Sequence, residues 1–115
     1  MPTPKQDLDF VNEKVGIETL CATLGLKSSV SRDFIRYSLA NALLFDRKNE
    51  DYGPDNIAEF AAMGCLVRMS DKYKRLKHLY MNRRKKVTNE SITDSWRDLS
   101  NYAIIALLCE DSKWH

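Results

Sequence analysis

The 115-residue chain carries 18 Lys and Arg against 16 Asp and Glu, a formal net charge of +2, and 43% hydrophobic residues. A chain of this length buries roughly two thirds of its unfolded surface and sustains one core, so a single small domain that gains further burial by forming a homo-oligomer is expected. Its cysteines, Cys21, Cys65 and Cys109, are odd in number and lack Cys-x-x-Cys spacing, against a disulfide framework or zinc site, and the lack of a leader after Met1 or of a spanning apolar run predicts a soluble, cytoplasmic protein with no membrane partner.

In chain order, the opening residues read as an arm, and Ile17–Leu24 as a short helix stopped by Gly25, which takes the left-handed conformation readily. Ser31 is a plausible N-cap for a second helix, in which Phe34, Ile35, Leu39, Ala42 and Leu43 recur at helical spacing to about Arg47. The stretch 48–54 then breaks the helix, since Tyr52-Gly53-Pro54 joins a permissive residue to a helix-stopping one, and Asp55 or Asn56 can start the next. Residues 57–80 are helical again, with an interruption near Gly64. Leu66, Met69, Tyr73, Leu76 and Tyr80 form the expected core face, and Arg68, Asp71, Lys72 and Arg75 a separate polar one. After a basic connection at 82–87, Thr88 or Asn89 can cap the last helix. No strand alternation, repeat or low-complexity segment is present. The expected architecture is all-α, a small bundle of about four helices: an arm and short helix at 1–30, a helical domain at 31–110, and a tail at 111–115.

Charge is unevenly spread. Between Leu66 and Lys86 nine Lys or Arg face one acid, Asp71, which leaves +8 there and 9 − 15 = −6 elsewhere. That asymmetry points to an anionic partner, although Arg83-Arg84-Lys85-Lys86 also suits a solvated turn. On the last helix, Ile92, Trp96, Leu99, Ala103 and Ala106 make one apolar stripe, opposite Glu90, Asp94, Asp98 and Asn101. The acidic stripe runs on into Ile105 and Leu108, so the polar side turns apolar one turn later and something must cover it.

Two uses of those carboxylates are chemically sound. Mg²⁺ takes hard oxygen ligands and commonly shares one or two carboxylates with substrate phosphates, so Asp94 and Asp98, with Glu90 behind them, form a candidate metal set. Arg68, Lys72 and Arg75 would then hold phosphate oxygens, the Arg fork donating two parallel hydrogen bonds and Lys acting as a point charge. The plain structural alternative pairs Arg68 and Arg75 with Asp94 and Asp98 across packed helices. In the 48–53 stretch, Lys48 can reach phosphate, Asn49 and Asp51 can contact base or ribose, and Tyr52 can stack; each residue type is also an ordinary turn former or staple. His78 lacks a partner and reads as a satisfied histidine.

The series Lys48-Asn49-x-Asp51-Tyr52-Gly53, residues 64–76, and Glu90-Ser91-Ile92-x-Asp94 through Asp98-Leu99-x-Asn101-Tyr102-Ala103-Ile104 resembles the nucleotide modification associated domain 1 family over residues 34–108. That resemblance implies a phage setting and a link to nucleotide metabolism. The layout is also similar to the all-α NTP pyrophosphatases, whose Mg²⁺ site uses Glu-x-x-Glu on one helix and Glu-x-x-Asp on another. Here Glu90-x-x-x-Asp94-x-x-x-Asp98 answers the second pair, while the helix owed the first carries Arg68-Met69-Ser70-Asp71-Lys72.

No Gly-rich phosphate loop, nucleophile elbow or zinc-protease motif occurs, which sets nucleophilic enzymes aside. Three readings stand. The first is a binder of a nucleotide or a cyclic or linear signalling nucleotide, serving metabolism or capturing a host defence signal, with no certain cofactor. The second is a Mg²⁺-dependent nucleotide pyrophosphatase. The third is a nucleic-acid-binding protein using residues 68–86, whose affinity would rise with chain length and fall with salt.

Overall fold

The computed structural model describes residues 1–53, 57, 59–82 and 89–114; the side chains of residues 89–91 lie outside that description. All five described helices are α: α1 (Pro4–Lys14), α2 (Ile17–Leu24), α3 (Ser29–Tyr52), α4 (Ala61–Met81) and α5 (Asn89–Glu110). The all-α expectation holds. None of these helices is long and apolar enough to cross a membrane.

The chain divides into two compact units, residues 1–47 and 48–115. In the first, the expected arm is the helix α1, and its cause is local. Thr3 Oγ1 accepts from the Gln6 N–H at 3.2 Å, Gln6 Oε1 accepts from the Thr3 N–H at 2.8 Å, and Pro4 occupies the first turn, where no amide hydrogen is needed. Val11, Ile17, Cys21 and Ala40 form the core, packed by Leu8, Val15, Leu26, Ile35, Leu39 and Leu43. Asp7 is buried and accepts two hydrogen bonds from the Arg47 guanidinium, at 2.9 and 2.7 Å. A carboxylate taken from water survives there because the guanidinium fork satisfies both its oxygens. Gly25 closes α2 in the left-handed conformation, as expected.

Two boundaries move. Ser28, not Ser31, caps α3: its Oγ accepts from the Ser31 N–H at 3.0 Å. The helix also continues past Arg47 to Tyr52 and stops at Gly53, which has φ 71° and donates to the Asn49 carbonyl at 2.8 Å. Residues 48–52 are therefore a helical turn, where a loop was expected. Their turn-forming side chains carry only a weak preference, and tertiary contact overrides it. The expected helix start at Asp55 or Asn56, the basic Arg83-Arg84-Lys85-Lys86 and the Thr88 cap fall outside the described residues.

In the second unit α4 and α5 pack as an antiparallel hairpin. Near one end Cys65 neighbours Cys109, then Arg68 meets Tyr102, Lys72 meets Asp98, and Tyr80 meets Trp96 at the other. Gly64 does not interrupt α4. It lies in the first turn, where an added Cβ would stand 2.8 Å from Phe60 Cβ, so the absent side chain lets the entering chain pass closely.

Burial departs from the expected faces. Of the α4 core face only Leu76 is buried, beside Cys65, while Leu66, Tyr73 and Tyr80 are exposed. On α5 the apolar stripe leaves Trp96 and Ala103 exposed, and the buried residues are Ser95, Arg97, Asp98, Asn101 and Ile105. The seam is rotated toward the polar sides because Lys72 and Arg68 reach across it to α5. The cover expected for the acidic stripe is found at Asp98, Asn101 and Ile105.

Candidate functional site

The site is built around one carboxylate. Asp98 sits mid-way along α5 and is only 9% exposed. Its Oδ1 accepts from Lys48 Nζ at 2.7 Å, and its Oδ2 forms an ion pair with Lys72 Nζ at 3.0 Å. Lys48 comes from the last turns of α3, which explains why that helix must outrun Arg47: a chain that broke there would not hold the ammonium in place. Two lysines around one carboxylate leave one net positive charge. Each ammonium has three donor hydrogens, of which Lys48 spends one on Asp98, so both keep donors for another anion, and both side chains are partly exposed.

One turn from Lys72, Arg68 lies over the Tyr102 ring, its guanidinium carbon 6.0 Å from the centroid and Nη1 3.5 Å from the hydroxyl. The negative ring face attracts the cation and limits its rotamers, which orders a third positive group on the same side of the hairpin. Beside Lys48, Asn49 presents a buried Oδ1 with no hydrogen-bond partner among the described residues. A buried carbonyl acceptor left unpaired costs about 1–3 kcal/mol, so Asn49 is chemically prepared for a donor.

The structure thus brings together Lys48, Lys72 and Asp98 from the expected set, with Arg68 one turn from Lys72 and Asn49 next in the chain to Lys48. Asp51 and Tyr52 are exposed on the last turn of α3, with Tyr52 one helical turn beyond Lys48 on the same face. Arg75 and Asp94 are exposed, and among the described residues neither forms an ion pair. The anticipated pairing of Arg68 and Arg75 with Asp94 and Asp98 is replaced at Asp98 by Lys72 from α4 and Lys48 from α3, while Arg68 lies over Tyr102. Glu90's side chain lies outside the described residues, and among those described no three His, Cys, Asp or Glu side chains converge as a metal site.

Sequence reasoning passed over three contributors. Arg97 and Ser95 are buried and engaged by neighbours, and Tyr102 was read only as part of a motif. The available signal was spacing: Asp94, Arg97, Asp98 and Asn101 recur at three and four residues, so a single helix face holds them all.

The family comparison falls on the same residues. The family described as Nucleotide modification associated domain 1 matches residues 48–109, more than half of the chain. The chain belongs to that family. Its match begins at Lys48, where the second compact unit also begins, and contains every residue of the lysine–aspartate cluster. The family match thus covers the α4–α5 hairpin with the last turn of α3, and it lies largely within the 34–108 span over which the motifs resemble the family. No curated protein and no solved structure matches the chain.

Proposed function

We propose that this nucleotide modification associated domain binds a nucleotide or a nucleotide-derived signalling molecule, cyclic or linear. The observation that supports this most is the pair Lys48 and Lys72 held against a single carboxylate, with Arg68 ordered over Tyr102 one turn away and the unpaired buried acceptor of Asn49 following Lys48 in the chain. Phosphate oxygens would take the donors left on Lys48 and Lys72 and the fork of Arg68, with Arg75 at the outer edge. A base amino group would supply the donor that Asn49 lacks, and Tyr52 offers an exposed ring for stacking. In a phage setting such a site serves nucleotide metabolism or sequesters a defence signal. Hydrolysis is the second reading, with Mg²⁺ on Asp94, Glu90 and a released Asp98.

One experiment separates these. Purified protein is incubated with mixed nucleotides and cyclic or linear signalling nucleotides, with and without Mg²⁺, and mass spectrometry identifies what is retained and what is altered. Recovery of an intact nucleotide after denaturing the protein, lost in Lys72→Ala, is the expected result. Conversion to a monophosphate that needs Mg²⁺ would establish the pyrophosphatase instead, and retention unchanged in Lys48→Ala and Lys72→Ala would remove the cluster from the site.

A further inference from the structure

The hairpin has two unlike flanks. At about 100° per residue, Arg68, Lys72 and Arg75 of α4 fall on one side of the seam, and Leu66, Tyr73 and Tyr80 on the other. The bond from Trp96 Nε1–H to the Tyr80 hydroxyl, 3.0 Å, puts the Trp96–Ala103–Leu107 stripe of α5 on that second side too. This flank is two helices wide, and Leu66, Tyr73, Trp96 and Leu107 are 52–64% exposed along it. Burial is thus inverted: the hairpin buries Asp98 on its ionic side and leaves its aromatic side in water.

We propose that a second copy of this chain covers the aromatic flank, two hairpins packing face to face as a four-helix bundle about a two-fold axis. Three features favour a second copy as the occupant. The exposed apolar side chains, with Met63 at the margin, offer on the order of 700–800 Å², which is about what each partner contributes to a standard interface. The ends carry opposite charge: Lys77 lies on the flank between Tyr73 and Tyr80, whereas Glu110 and Asp111 lie at the far end and outnumber Lys113 there. A two-fold axis across the hairpin turns each copy end for end, so Lys77 of one meets Glu110 of the other, and both contacts form at once. Between the ends the flank narrows to the exposed Ser70, Ser100 and Ala103, small enough for helices to approach closely. This pairing uses the side of the hairpin opposite the lysine–aspartate cluster and stands whether or not a nucleotide binds there.

The test is the mass of the full chain in solution, by sedimentation equilibrium at about 10–100 μM, a range suited to interfaces of this size. Wild type is expected at twice 13.3 kDa. Leu66→Glu and Leu107→Glu should each give the single-chain mass with the far-ultraviolet circular dichroism of wild type, because both side chains are already exposed in the single chain. Lys77→Glu should weaken association at least tenfold, and Glu110→Lys in the same chain should restore it. A wild-type protein of 13.3 kDa, an assembly that survives both glutamate substitutions, or loss of helix in both would overturn the proposal. Failure of the charge exchange to restore association would overturn the end-for-end pairing.

Discussion

Asp98 carries two opposed demands, since it is nearly buried and yet tied to two lysines that remain partly in water. Replacing its charge with an amide keeps the shape and one acceptor while leaving two ammoniums close together. Asp98→Asn should therefore cost about 1–2 kcal/mol in urea denaturation, below the figure for a fully buried pair because the lysines are solvated. On the proposed function the same change strengthens nucleotide binding, because the carboxylate competes with phosphate for the same donors. A destabilised Asp98→Asn whose affinity is unchanged in calorimetry would assign the cluster to packing alone. Cys65 offers a second check. Burial pushes its thiol above the ordinary cysteine value, and neighbouring Cys109 adds to the rise while Arg68 opposes it. The folded state then keeps a proton that the unfolded chain gives up, so this group takes stability away as pH climbs past about 9 and contributes nothing below that range. Iodoacetamide at neutral pH should label Cys109, which is partly exposed, well before Cys65, as peptide mass mapping would report.

At the scale of elements, existence was easier to read than extent. The apolar spacing of α4 and α5 and the stop at Gly25 were legible because each rests on a rule internal to the helix. The capping box of α1 was equally local, Thr3-Pro4-Lys5-Gln6 followed by apolar positions at Leu8 and Val11, and was missed only because the polar opening resembles a tail. Which face of each helix is covered was not legible, since amphipathic spacing marks an apolar side without saying what partner takes it. That spacing places Leu66, Tyr73 and Trp96 on apolar faces, yet all three are exposed in the single chain. Nor could spacing show that residues 48–52 stay helical, since turn-forming residue types fill that stretch and the partner of Lys48, Asp98, lies fifty residues away. The entry to α4 holds one strained position: Ala61 has φ 50°, a region that costs an L-residue about 1 kcal/mol and glycine nothing. Ala61→Gly should raise stability by about 0.5–1 kcal/mol, read as a higher urea midpoint at unchanged slope.

Across the whole molecule, the family match and the second compact unit begin at the same residue, Lys48. The candidate site was legible in kind, as basic and acidic groups on two helices, because charge asymmetry survives folding. Its membership was not, since the pairing of Asp98 with Lys48 and Lys72 over Arg68 and Arg75 depends on which side of each helix is turned inward, and the sequence does not encode that locally. The contact from Lys48 to Asp98 spans fifty residues, while the α4–α5 hairpin closes over shorter separations. Loop closure makes the longer contact slower to form, so the hairpin is expected to be in place at the rate-limiting step and the lysine to dock afterwards. Lys48→Met should then hasten unfolding several-fold and leave the refolding rate nearly untouched in stopped-flow traces; slowed refolding would put the docking step first. The same tether that completes the cluster would thereby act as a latch on its lifetime, setting how long the assembled hairpin persists more than how quickly it arises.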